Sequence, residues 1–288
     1  FLLISVTLLA VPNDFRFRHF SVEDGLSSNS VRAIMQDKYG FLWIGTEEGL
    51  NRYDGIMIKS YSICPQAAGK YISSLYGTKK NIWIGTDEGF YIYAYATETF
   101  TYFDLTTPNN VRITSIVNHI LQDKDGNLWF STNGQGLFRY NLSKNYLEQY
   151  EFTSAFGIVA STMADSDNQI WALTNQGESG VYKLNKAENK FEPFGLLYNA
   201  GNHHSQALAM LEDSEQTLWL GTWECGLQKI DKYTRQTTTY LHPTDGKGVT
   251  HIHSLMEYAP HQLLIGSDDG LLLFNTLTEE YKLFTENE

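Results

Sequence analysis

The sequence predicts an all-β protein, a β-propeller of four-stranded antiparallel blades, and three observations carry that prediction. A tryptophan-centred pentapeptide recurs as Leu42-Trp43-Ile44-Gly45-Thr46, Ile82-Trp83-Ile84-Gly85-Thr86, Leu128-Trp129-Phe130-Ser131-Thr132, Ile170-Trp171-Ala172-Leu173-Thr174 and Leu218-Trp219-Leu220-Gly221-Thr222. Leu263-Leu264-Ile265-Gly266-Ser267 is a sixth copy without the indole. The spacing of 40, 46, 42, 48 and 45 residues is that of propeller blades. No long stretch keeps the i, i+3, i+4, i+7 apolar pattern that helical repeats need.

Each repeat divides in the same order. An inner strand, such as 31–35, runs into an Asp-led hairpin turn: Asp37 to Gly40, Asp123 to Gly126, Asp165 to Asn168 and Asp213 to Gln216. The tryptophan strand follows. A short connection then ends at Gly49, Gly89, Gly136, Gly180, Gly226 or Gly270, where the tight turn calls for glycine, and an apolar residue opens a third strand. That strand ends at Asp54, Asn141, Asn185, Asp231 or Asn275, with Ala94 the exception. A fourth, aromatic-bearing strand closes the unit, as in Phe100-Thr101-Tyr102-Phe103 or Tyr281-Lys282-Leu283-Phe284. Six such units give six complete blades.

One strand is left over. Residues 15–20 read as a fourth strand without a blade of its own, and propellers commonly close by lending such a strand to the last blade. Six blades plus a donated strand predict seven in the full domain, the remainder lying beyond Glu288. A closed six-bladed ring is the alternative, and it leaves 15–20 unpaired. Residues 1–10 (FLLISVTLLA) are apolar and uncharged, and 11–14 break the pattern. They read as the remnant of a secretory signal peptide, with an ordinary first strand as the alternative.

Composition narrows the class. Of 288 residues 42% are apolar and only 19% charged, which argues against disorder and coiled coil. Lys+Arg number 21 against Asp+Glu 33, a net charge of −12 that argues against nucleic acid as a partner. No apolar run reaches the roughly 18 residues of a membrane helix. Cys64 and Cys225 are too few for a disulfide scaffold or a cysteine zinc site.

The opening block resembles a known family. Phe20-Ser21-Val22-Glu23-Asp24-Gly25-Leu26-Ser27-Ser28-Asn29-Ser30-Val31, then Ile34, Asp37, Gly40, Phe41 to Thr46 and Glu48 to Gly55, are similar to the start of the two-component regulator propeller. The resemblance covers 15–284. It departs at Gly77, which replaces the turn aspartate of blade 2, at Leu173, which replaces a glycine in blade 4, and in blade 6, which lacks the tryptophan. It implies the periplasmic sensor half of a hybrid histidine kinase of gut Bacteroidetes, the ectodomain of an inner-membrane protein that detects an oligosaccharide and signals to a kinase across the membrane. Residues 11–288 would then be a C-terminally truncated sensor propeller. Relatives usually add a second propeller, an immunoglobulin-like module, one membrane helix, a kinase core and often a receiver with a DNA-binding module, so kinase activity would belong to the parent chain. The implied partners are an oligosaccharide, the rest of the ectodomain and a second copy of the chain, with no cofactor.

Enzymatic signatures are absent from the sequence. Gly69-Lys70 is followed by Tyr71 and Gly246-Lys247 by Gly248, so no Walker loop forms, and no nucleophile elbow occurs. The turn aspartates recur once per blade, as structural residues do, rather than as a glycosidase pair. Asn141-Leu142-Ser143 fits a glycosylation acceptor but coincides with the strand-end Asn of the repeat. His251 and His253 stand two apart on an expected inner strand, the spacing of a metal pair or of residues lining a wet channel, and no third ligand can be placed. No catalytic or metal residue is assigned.

Topology directs the search for a ligand site. The links between blades and the loops between strands two and three share one face, and the Asp turns occupy the other. On the first face Trp223 lies outside the repeat, either as a platform for a sugar ring or packed on the neighbouring blade. Glu224 lies beside it, and Tyr198, Asn202, His203 and His204 are expected to emerge nearby. Asn133, Gln135 and Asn175 are further candidates, with Glu178 in the same loop as Asn175. Arg32 and Arg112 could meet sulfate or uronate groups, or form salt bridges. Two rival functions stand beside the sensor: an interaction scaffold whose ligand is sensed elsewhere, and an extracellular carbohydrate-active enzyme.

Overall fold

A computed structural model describes residues 15, 17–63, 70–152, 157–174, 180–195, 206–241 and 248–285; the signal-like residues 1–10 lie outside them. Blade 1 holds β1 (Val31–Gln36), β2 (Leu42–Thr46), β3 (Gly49–Tyr53) and β4 (Ile58–Tyr61); blade 2 holds β5 (Ile72–Gly77), β6 (Asn81–Thr86), β7 (Gly89–Ala94) and β8 (Thr99–Tyr102). Blade 3 is β9 (Val117–Gln122), β10 (Leu128–Thr132), β11 (Leu137–Asn141) and β12 (Tyr146–Tyr150), and blade 4 is β13 (Val159–Ala164), β14 (Ile170–Thr174), β15 (Val181–Asn185) and β16 (Lys190–Pro193). Blade 5 follows as β17 (Ala207–Glu212), β18 (Leu218–Thr222), β19 (Leu227–Ile230) and β20 (Thr237–Tyr240). Blade 6 is β21 (Ile252–Ala259), β22 (Gln262–Ser267), β23 (Gly270–Asn275) and β24 (Tyr281–Phe284). Every sheet is a four-stranded antiparallel meander, and the inner strands pack in the succession β1, β5, β9, β13, β17, β21. The propeller expected from the period is the observed fold.

The repeat tryptophan joins each blade to the next. Trp43 packs with Ile72, Ile84 and Tyr93 of blade 2, Trp83 with Val117, Phe130 and Phe138 of blade 3, and Trp129 with Val159, Ile170 and Tyr182 of blade 4. Trp171 and Trp219 repeat the pattern into blades 5 and 6. All five indoles are at most 2% exposed. The glycine two residues after the tryptophan admits the incoming inner strand: a Cβ on Gly45 would lie 2.5 Å from Ile72 Cγ2.

The turn aspartates do more than shape turns. In blades 1, 3, 4 and 5, Oδ1 accepts backbone N–H groups of the turn, while Oδ2 accepts the indole N–H six residues later at 2.8, 2.8, 2.9 and 2.7 Å. Across the ladder from each of these tryptophans stands a cation, Arg52, Arg139, Lys183 or Lys229, within 6.0 Å of the ring centre. Carboxylate, indole and cation polarise one another in series. In blade 2 the turn is one residue shorter, so Thr78, and not the Gly77 expected from the sequence, holds the aspartate's place; Ile92 stands across the ladder, and among the described residues the buried Trp83 Nε1 has no partner. The strand-end Asp or Asn caps the next turn: Asn275 Oδ1, for example, accepts from Leu277 N and Thr278 N. Asn141 does the same for Lys144, which accounts for its place in the repeat.

Between blades 6 and 1 the succession breaks. Five inter-blade cores serve the six blades, and among the described residues none joins β21 to β1; Val31, Ile34, Met256 and Tyr258 on those two strands are exposed. Residues 17–20 form no ladder, contrary to the strand expected there. Phe15 packs on Tyr258 and Phe284 of blade 6, whereas Phe20 and Arg18 pack on Tyr53 of blade 1. A fourth strand needs a third beside it, and no described strand stands in this seam.

Candidate functional site

Every inner strand carries the same irregularity. The register between first and second strand slips by one residue near its start, leaving Arg32, Ser73, Asn118, Ala160, Leu208 and His253 outside the pairing. Such β-bulges re-aim one side chain, here at the end of the strand that enters from the inter-blade link. The second strand ends beside it: Glu47 N, Asn133 N and Trp223 N donate to the carbonyls of Ser30, Ile116 and Gln206 at 2.9–3.1 Å. Inter-blade links and the loops between strands two and three therefore share one face, as the topology predicts.

Some bulged residues clip blades together. Ser73 Oγ and Asn118 Nδ2 donate to the Val117 and Val159 carbonyls of the next blade at 2.8 and 2.9 Å. Arg32 instead pairs with Glu47, and Arg112 with Asp104 at 2.7 Å, so both arginines form salt bridges.

At the junction of blades 5 and 6 the same positions assemble an aromatic and imidazole cluster. Trp223 lies over the His251 ring, centroids 3.9 Å apart and planes 33° from parallel, with His253 edge-on at 6.4 Å. His251 Nδ1 bonds Asp268 Oδ2, and His253 Nε2 lies 2.7 Å from Asp268 Oδ1. Hydrogen bonds from His251 and then His253 hold the Asp268 carboxyl below the usual carboxylate range. His251 precedes β21 with φ at +47°, so the two histidines do not alternate along one strand; Asp268 brings them together. Asp269 fixes the neighbouring turn by accepting from Thr250 N and Oγ1 at 2.7 and 3.0 Å. Among the described residues no three His, Cys, Asp or Glu side chains are arranged to hold a metal ion.

Trp223 thus packs on its neighbour and still keeps 39% of its surface exposed. Glu224 is exposed beside it. Gln135 is engaged otherwise: Oε1 accepts from Thr114 N and Ser115 N at 2.8 and 3.0 Å, and Nε2 donates to the Arg112 carbonyl, which pins the link at 112–115. Asn133 makes an isolated bridge with Ile158. Asn175, Glu178, Tyr198, Asn202, His203 and His204 lie outside the described residues. Sequence reasoning missed Asp268, which looks like one more turn residue. Aligning the residue that follows each pentapeptide would have set Glu47, Asp87, Asn133, Asn175, Trp223 and Asp268 at one level.

Comparison with known proteins agrees with this architecture. Residues 25–48 and 111–134 match the family described as two component regulator propeller. A 66-residue stretch is 44% identical to a histidine kinase, P4, of Formosa agariphila, covering 23% of this chain and 5% of that protein. Extracellular domains of two proteins described as hybrid two component systems of B. thetaiotaomicron align with TM-scores of 0.77 and 0.74, each at 22% identity. These alignments cover 94% and 90% of this chain but 37% and 34% of the larger domains. Virginiamycin B lyase of Staphylococcus aureus shares the fold, with a TM-score of 0.70 at 14% identity over 88% of this chain and 84% of the lyase.

Proposed function

We propose, from the premise that this chain carries two-component regulator propeller repeats, that it is a ligand-sensing propeller of an extracytoplasmic sensor region. Its ligand in this reading is an oligosaccharide, bound on the inter-blade face, and the parent chain is a hybrid histidine kinase. The observation that carries the reading is Trp223, an exposed indole backed by His251, with two imidazoles oriented by Asp268 at its edge. Such a surface offers a flat apolar face for sugar C–H groups and fixed polar atoms for hydroxyls. A sensor also needs somewhere to transmit from, and the apolar seam between blades 6 and 1 supports that part of the proposal. A seventh blade there would cover Ile34, Met256 and Tyr258 and couple the two ends of the ring.

A glycan array followed by titration calorimetry tests the site. Trp223→Ala and Asp268→Asn are each expected to weaken the cognate oligosaccharide by about 5- to 30-fold, the range for one aromatic contact, with the melting temperature nearly unchanged. Unaltered affinity in both variants removes the sugar from this face.

A further inference from the structure

We infer that the crevice between blades 4 and 5, on the face of the Asp turns, is a groove for an anionic saccharide, one bearing sulfate or carboxylate groups. The inference goes beyond the sensor reading by adding a second saccharide site on the opposite face, and it rests on that reading only for the class of ligand. The crevice encloses about 580 Å³ and is lined by Lys183, Lys186, Lys232 and Arg235 against one carboxylate, Glu192, in a chain of net charge −12. Lys232 is neutralised by Glu212 and Asp165. The other three cations are not: Lys183 lies over the Trp171 ring at 5.3 Å and Arg235 over the Phe194 ring at 5.4 Å. Among the described residues no carboxylate pairs with Lys183, Lys186 or Arg235. Glu192 stands opposite Lys183 in the ladder, yet it accepts from Asn185 Nδ2 at 3.0 Å and has Lys190 at 4.0 Å.

The equivalent crevices show what is particular here. Between blades 1 and 2 the crevice is about 220 Å³, and Arg52 is stacked among Phe41, Trp43 and Tyr61. Between blades 3 and 4 it is about 180 Å³, and Arg139 is paired with Glu148. Beside blade 5 it is about 550 Å³, with Asp167, Glu215 and Asp231 set against Lys229 and Lys232. The groove between blades 4 and 5 alone of these is both wide and cationic.

Its chemistry selects the ligand. Converging cations without counter-charges repel, and a bridging anion removes that repulsion while gaining charge-assisted hydrogen bonds. Tyr233 stands at the rim 95% exposed, its turn fixed by Asp231 Oδ1, which accepts from Tyr233 N and Thr234 N at 2.8 and 2.9 Å. An exposed ring above the cations suits the apolar face of a sugar, a contact that a bare inorganic anion cannot make.

The test is calorimetric titration of the chain with a sulfated carrageenan tetrasaccharide, its desulfated counterpart and inorganic sulfate. The sulfated sugar should bind, and more weakly as salt rises. Lys186→Gln/Arg235→Gln should weaken it about tenfold or more, Glu192→Gln should strengthen it several-fold, and Trp223→Ala should leave it unchanged. Melting temperatures of the groove variants report whether they fold, and the gain in Glu192→Gln is an effect that misfolding does not mimic. Full affinity in the double variant overturns the groove, as does inorganic sulfate binding as tightly as the sugar, which marks an adventitious ion only. An acidic peptide outcompeting the sugar also overturns it, by making the groove a protein-docking site. Binding of the desulfated sugar alone, lost in Trp223→Ala, overturns the groove while the sensor reading stands; failure of both sugars also overturns the groove, and the Trp223 site then stands or falls by the glycan array.

Discussion

Thr78→Asp should stabilise this protein, an unusual expectation for introducing a charge beside a buried indole. Four blades have an aspartate at this position that accepts the indole N–H. In blade 2 the residue there is Thr78, two positions after the Tyr76 that pairs with Trp83, and its Oγ1 accepts from Lys80 N and Asn81 N as the aspartate Oδ1 does elsewhere. A threonine has no second oxygen for the indole, and among the described residues the buried Trp83 Nε1 has no partner. The Thr78 N–H already donates to the Asn81 carbonyl at 2.8 Å, so the turn that an aspartate would enter is formed.

Satisfying one buried donor contributes about 1–3 kcal/mol. Carboxylate desolvation offsets part of this. The net gain should be about 1–2 kcal/mol, a rise of roughly 2–6 °C in melting temperature for a chain this long. Denaturant unfolding of wild type, Thr78→Asp, Thr78→Ala and each in a Trp83→Phe background measures it. Thr78→Ala removes the turn acceptor without supplying the carboxylate and should destabilise. The aspartate's gain should shrink by at least about 1 kcal/mol once the indole N–H is gone. A gain that persists in the Trp83→Phe background refutes the reasoning.

Other predictions follow from the same accounting of polar groups. Trp43→Phe strands the buried Asp37 Oδ2 and should cost about 1–3 kcal/mol beyond lost packing, whereas Trp83→Phe removes an unpartnered donor and should cost markedly less; chemical denaturation compares them. His119 is held neutral by burial, its pKa pushed down to about 4, and its Nδ1 accepts from Thr162 N at 3.4 Å. The unfolded chain binds the proton first, so stability should fall as pH drops from about 6.5 to about 4 and be fully present above that window. His119 as a residue is only half-buried, which limits the loss to about 1–3 kcal/mol, and a stability–pH profile of His119→Gln should lack that slope. Ile252→Ala empties a fully buried site and should cost about 2–4 kcal/mol, while His253→Ala next to it should alter ligand binding with less than about 0.5 kcal/mol of stability; thermal melts and calorimetry separate the two.

Blade number, strand order and tryptophan burial were legible because each is written once per repeat, and six noisy copies average into one clear pattern. The Asp–indole bond was legible in principle: Asp37, Asp123, Asp165 and Asp213 each precede a tryptophan by six residues, and blade 6 has neither partner. A turn reading explained the aspartates well enough to hide their second oxygen. The bulges were not legible, since a one-residue slip in register leaves no trace in an alternating pattern. The Trp223 cluster was half visible. Trp223 stood out as an indole off the repeat, but Asp268 lies one repeat away, and only the fold puts two loops of adjacent blades side by side. The cationic groove was invisible for the same reason, its charges coming from β15, the turn after it and a turn of blade 5.

Along each inner strand two adjacent residues answer to different constraints. The residue before the bulge, Ile72, Val117, Val159, Ala207 or Ile252, is at most 1% exposed and wedges into the core beside the preceding blade's second strand, so it must be apolar and of fitting size. Val31 occupies the same position in blade 1 yet is 46% exposed, because it faces the seam, and it marks where that core has no partner. The next residue sits outside the ladder, freed from pairing, and across the blades it is Arg, Ser, Asn, Ala, Leu or His with no pattern; among the described residues only Ser73 and Asn118 use it for a bond to the next blade. A one-residue slip therefore separates what holds the ring together from what it presents at its mouth. Ligand chemistry can change at Arg32, Leu208 or His253 without disturbing the contact that the neighbouring residue makes, which is how one rigid repeat can carry many specificities.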